Sequence, residues 1–139
     1  MLNSCDENDV RSIILHEFSG ESGGSSYMSE KNNAALEILV ETRGVEGAYE
    51  VGTDGFLLDT LDSGFSDPEA VAAVSAIAAI TSERIGSGLG LGGLRSVLLE
   101  FKGGKVIIAK QRNKIYVVVG NRHTVFGDVL MKLQALQKT

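Results

Sequence analysis

The chain has 139 residues, 43% of them hydrophobic but only 6% aromatic, so one domain packed mostly from aliphatic side chains and Ala is expected. Its formal charge is −5, and the excess lies in residues 1–30, which hold six acids and one base, against twelve of each in residues 31–139. A neutral body argues against bulk nucleic-acid binding, and a single cysteine, Cys5, excludes an internal disulfide and a thiolate metal site.

No apolar run reaches membrane-spanning length, and Met1 to Val10 carries acids where a secretory leader carries bases. A reducing, cytoplasmic setting without membrane insertion is therefore expected.

Residues 1–28 read as an acidic extension before a domain spanning 29–139. Gly20 to Ser26 has linker composition. Val10, Ile13, Ile14 and Phe18 recur at helical spacing. Two readings stay open, a disordered tail, which composition favours, and a short amphipathic helix docking on the domain or a partner. Residues 29–42 predict a helix capped by Ser29 and stopped by Gly44, with Leu36, Leu39 and Val40 as its apolar stripe. Val45 to Leu61 predicts a β-hairpin turning at Thr53-Asp54-Gly55, because Asp-Gly supplies the positive φ of a tight turn. Both strands lack clean alternation, which predicts a central place in a sheet.

Asp67-Pro68-Glu69 predicts a helix start, with a helix from Pro68 to Ile85. Val71, Val74, Ile77 and Ala78 form one face, and Ala70, Ala73, Ala76 and Ile80 extend it round the barrel. A helix this apolar is buried on more than one side, and one sheet covers only one side. The other side calls for a partner. A glycine tract, Gly86 to Gly93, then leads into three predicted strands, Leu94–Phe101, Lys105–Arg112 and Ile115–Val119, joined by turns at Lys102-Gly103-Gly104 and Asn113-Lys114. Thr124 to Gln137 predicts a closing helix. Five strands joined mostly by hairpins, with long helices, predict an α+β fold with a largely antiparallel sheet.

Catalytic signals are few. Gly88-Leu89-Gly90-Leu91-Gly92-Gly93 matches G-x-G-x-x-G, yet it follows a helix and precedes a strand, the reverse of the order that aims amides at a pyrophosphate. A helix-to-strand connector is the expected role, and no cofactor is expected. His16 and His123 fall in no metal-ligand spacing, and no nucleophile elbow occurs. Glu46, Glu50, Asp54, Asp59, Asp62, Asp67 and Glu69 predict a solvated acidic rim rather than an acid–base pair. Lys102, Lys105, Lys110, Arg112 and Lys114 predict charge protection of a sheet edge, ahead of a surface for an acidic partner or a membrane phosphate. The chain is expected not to be an enzyme.

The run Leu36 to Leu136 resembles the roadblock/LC7 domain family. Val45-Glu46-Gly47-Ala48 and Thr53-Asp54-Gly55-Phe56-Leu57-Leu58 are similar to the family's opening, and the Ala-rich helix, three-strand meander and closing helix follow in its order. The resemblance implies a profilin-like, five-stranded antiparallel sheet sandwiched by helices in the order α-β-β-α-β-β-β-α. It implies a homodimer in which the second helix packs on its symmetry mate and the third strand pairs across the two-fold. Val71, Val74, Ile77, Ala78, Leu94, Val97, Leu98 and Leu99 would then lie at the interface. Family members act as dynein light chains or as scaffolds and regulators of small Ras-like GTPases, some of them activators that supply no catalytic residue. A small-molecule sensor with a pocket between sheet and helix is the alternative.

Overall fold

The computed structural model describes residues 33–62, 64 and 67–137. Their element order is α1 (Ala34–Val40), β1 (Val45–Gly52), β2 (Leu57–Asp62), α2 (Pro68–Gly88), β3 (Ser96–Phe101), β4 (Gly104–Gln111), β5 (Lys114–Asn121) and α3 (Phe126–Gln137). The strands make one antiparallel sheet in the order β2-β1-β5-β4-β3. The fold is therefore α+β, with the expected element order and helices on both faces.

Strand alternation divides the core in two. Ala48, Ile107, Ala109, Tyr116 and Val118 face Leu36 and Leu39 of α1 and Val129 and Leu133 of α3. Tyr49, Val51, Ile108, Ile115 and Val117 face Ala72, Ala76 and Ala79 of α2. β1 is buried on both faces from Gly47 to Val51, which explains its lack of clean alternation. β2 differs from expectation, because it forms an outer edge and is only partly covered. At the hairpin tip Gly55 has φ +93°, and the Asp54 carboxylate accepts from the Phe56 amide at 3.1 Å.

The first helix is shorter than its periodicity predicts. Asn33 caps it, its side-chain oxygen accepting from the Leu36 amide at 3.3 Å. Ser29, the expected cap, lies outside the described residues, as do the 1–28 extension, Cys5 and His16. Asn33 also donates to Glu50 Oε1 at 2.6 Å and Asp59 Oδ2 at 3.1 Å. Those two carboxylates face each other across β1 and β2 and are buried at 6% and 9% exposure, so the expected solvated acidic rim is wrong for them. Lys114 supplies the counter-charge, 2.5 Å from Glu50 Oε2. Hydrogen bonding to Glu50 raises the Lys114 pKa above its ordinary value.

Three buried or paired groups make the fold sensitive to alkali. Burial, reinforced by Asp62, pushes the Tyr49 phenol well above its ordinary range, burial likewise raises Tyr116, and Lys114 is raised as described. In each case the folded state holds its proton more tightly than the unfolded chain. The stabilisation is complete below the ordinary pKa values, 10.0 for tyrosine and 10.5 for lysine, and is lost as pH rises through the folded values. Tyr49→Phe is expected to leave stability near pH 7 almost unchanged, because the Tyr49–Asp62 hydrogen bond is long at 3.5 Å. Above pH 10 the variant should lose stability less steeply than the parent, as urea midpoints measured at several pH values will show.

Candidate interaction surface

α2 is apolar on its outer face as well as on the face that packs on the sheet. Asp67 caps it by accepting from the Ala70 amide at 3.2 Å, Pro68 enters the first turn, and Glu69 complements the dipole. Its inner face is small: Ala72, Ala76 and Ala79 recur at i, i+4, i+7 and let the helix sit close on the sheet. The larger aliphatics point away. Val74 is 41% exposed, Ile77 51%, Ile80 47% and Ile85 60%. Leu89 and Leu91, on the connector, are more exposed still. Among the described residues, β3 pairs only with β4 and leaves its outer backbone edge without a strand partner. Such an edge is a ready site for further strand pairing.

The eight residues expected at a dimer interface divide into three groups. Val74 and Ile77 are exposed on the outer face of α2. Val71, Ala78, Leu94, Val97 and Leu99 are half-buried against the core beneath α2. Leu98 is 46% exposed on the opposite face, in register with Ile107 of the α1–α3 core. Ile85, Leu89, Leu91 and Phe101 were not anticipated as surface residues, and Ile80 was expected only to widen the helix's apolar face. The separation of small from large aliphatics around α2 carries the signal for Ile80 and Ile85.

The glycine tract closes a helix. α2 continues through Gly88, beyond the expected Ile85. The Leu91 amide donates to the Gly86 carbonyl at 2.8 Å and the Gly90 amide to the Ser87 carbonyl at 3.2 Å, with Gly90 at φ +72°. These are the two bonds of a Schellman C-cap. A helix C-terminus presents carbonyls and partial negative charge, which repel phosphate. Gly90→Ala is expected to cost about 1 kcal/mol through the left-handed backbone, while Gly88→Ala, whose Cβ meets open space, should gain about 0.5–1 kcal/mol. Urea midpoints at unchanged slope will separate the two.

Glu83 fastens this connector. Its carboxylate accepts from Lys110 Nζ at 2.8 and 3.0 Å and from the Leu94 amide at 3.4 Å, which ties α2, the approach to β3 and β4 together. The Lys110 bond, then the Leu94 amide, lowers the Glu83 pKa, so this contribution fades as pH falls through the lowered value. The basic hairpin thus disperses into structural roles. Lys110 holds Glu83, Lys114 holds Glu50, and Lys105 donates to the Thr124 carbonyl at 2.8 Å beneath the Phe126 ring.

No catalytic constellation emerges from the described residues. His123 is exposed in the turn before α3, its amide donating to Asn121 Oδ1 at 2.8 Å. No group of three or more potential metal ligands gathers among the described residues, and no described helix is long and apolar enough to cross a membrane. A half-open cleft of about 260 Å³ lies between α3 and the β3–β4 end of the sheet. That is just under the roughly 300–1,000 Å³ usual for small-molecule sites.

The Roadblock/LC7 domain family profile matches residues 31–121. No curated protein sequence gives a match. Among solved structures, a Roadblock/LC7 domain from Streptomyces avermitilis superposes with a TM-score of 0.71 at 15% identity, covering 78% of this chain and 92% of that one. MglB of Myxococcus xanthus gives 0.70 at 15% identity over 82% and 96% of the two chains. Profilin IB of Acanthamoeba castellanii gives 0.55 at 23% identity over 76% and 92%. These likenesses establish the fold, including its profilin-like character.

Proposed function

The chain belongs to the Roadblock/LC7 domain family, and on that premise we propose that it is a homodimeric, cytoplasmic scaffold that regulates a small Ras-like GTPase and supplies no catalytic residue. The domain proper is residues 29–139, and the acidic residues 1–28 are an appendage to it. The outer face of α2 carries the reading. Val74, Ile77, Ile80 and Ile85 leave about half of their surface to water, and the outer edge of β3, unpaired among the described residues, adds a strand-pairing site. Completing the burial of each side chain contributes about 1 kcal/mol.

A second copy suits this surface best, because an apolar helix and an open antiparallel edge can each pair with themselves about a two-fold axis. Val71, Ala78, Leu94, Val97 and Leu99 then line the flank of the interface, and Leu98 approaches it from the other side of β3. The GTPase reading rests on what the family resemblance implies and on the lack of any assembled catalytic group among the described residues.

Two measurements test the proposal. Light scattering at micromolar concentration should give twice the 14.7 kDa protomer mass, and a monomer would overturn the dimer. Affinity capture from native lysate, with added GTP or GDP, should retain a Ras-like GTPase in a nucleotide-dependent way. Retention indifferent to nucleotide, or of no GTPase, would overturn the regulatory reading.

A further inference from the structure

The cleft between α3 and the β3–β4 end of the sheet lies on the face opposite α2, so pairing through α2 leaves it open. Arg95, Ser96 and Gln111 form its strand wall, and Leu130, Leu133 and Gln134 form its helical wall. Arg95 and Lys110 are among its residues and no acid is, but Lys110 directs its ammonium to Glu83 of α2, so Arg95 is the base that the cleft can offer. Leu98 extends its floor on the same face as Ser96.

We propose that residues 9–18 of the same chain occupy this cleft. Three observations choose that occupant. Val10, Ile13, Ile14 and Phe18 recur at a spacing that gathers them on one face of a helix, which matches the part-exposed Leu130 of the helical wall and the exposed Leu98. The segment itself holds two acids, Asp9 and Glu17, and one base, Arg11, and so brings one net negative charge to a cleft whose residues include Arg95 and no acid.

The third observation is reach. Asn33 sits over Glu50 and Asp59, and the register continues from Asp59 and Glu50 through Tyr116 and Ala109 to Ser96 in the cleft. The chain therefore enters α1 at the cleft's own end of the sheet, three strand spacings away, or about 14 Å. Residues 19–32, of Gly/Ser-rich composition, span up to about 46 Å when extended. This inference does not rest on the GTPase reading.

Cys5 is the only cysteine and offers a unique position for a nitroxide label on the full-length chain. Amide signals of Arg95, Ser96, Gln111 and Gln134 should broaden selectively in the labelled protein. The broadening should vanish in Phe18→Asp and weaken in Arg95→Glu, with the remaining spectrum unchanged. Uniform or absent broadening would overturn the proposal. So would broadening centred on Ile77 and Ile80, which would place the segment on α2. Broadening of an isotope-labelled, nitroxide-free chain mixed with a nitroxide-labelled, unenriched one would assign the segment to a neighbouring copy and equally overturn it.

Discussion

Ile77→Asp is expected to convert the proposed homodimer to a monomer at micromolar concentration. Ile77 is at the middle of the outer face of α2 and is 51% exposed in the protomer. In a two-fold interface each substitution enters twice, and each places a carboxylate where an apolar contact was made. At about 2 kcal/mol or more per copy the loss is about 4 kcal/mol, a thousandfold or so in the dissociation constant. The protomer itself should be affected little, because a half-exposed position away from the core tolerates a polar residue within about 0.5–1 kcal/mol. Light scattering and circular dichroism on the same sample separate dissociation from unfolding. Met131→Asp is the control: it adds the same charge at a 70% exposed apolar residue of α3 and should leave the mass unchanged. A dimeric Ile77→Asp variant would move the interface away from α2.

Asn33→Leu should give the largest loss of protomer stability, about 3 kcal/mol. About 1 kcal/mol follows from removing the cap of α1. The rest follows from the carboxylates. Asn33 donates to both Glu50 and Asp59, and an isosteric apolar group leaves two buried anions side by side with one donor fewer. Hydrogen bonds to charged groups contribute about 1.5–3 kcal/mol. Lys114 still neutralises Glu50 from its half-exposed position, so the fold should survive. Asp59→Asn in the same chain removes one charge and returns an amide donor, and it should recover more than half of the loss. Urea unfolding of the four proteins in this cycle measures the coupling. A loss of only about 1 kcal/mol, unrelieved by Asp59→Asn, would reduce Asn33 to a simple cap.

Both predictions rest on features that are unequally visible in the residues alone. Element boundaries were legible where the chemistry is local. Asp54-Gly55 turns the first hairpin, Asp67-Pro68 starts α2, and the later turns fall at Lys102-Gly103, within the expected segment, and at Arg112-Asn113, one residue before the expected Asn113-Lys114. The apolar character of α2 on its outer as well as its inner face was also legible. The glycine tract could be denied a phosphate-binding role from its position after a helix, but its C-capping bonds required coordinates.

The sequence by itself therefore determined the kind and order of the elements, because capping, turn geometry and hydrophobic periodicity act within a few residues. Tertiary structure alone decided the sheet order β2-β1-β5-β4-β3, and with it every partnership across that sheet. It turned Ala72, Ala76 and Ala79 inward and Ile77, Ile80 and Ile85 outward, since close approach to the sheet selects the small residues. It placed Leu98 on the face away from α2, buried Glu50 and Asp59 behind Asn33, and joined Lys110 to Glu83 across 27 residues. The physical reason is the same in each case. These contacts are made between elements distant in the chain, and their energies depend on which face meets which, a choice settled only when the whole sheet is assembled.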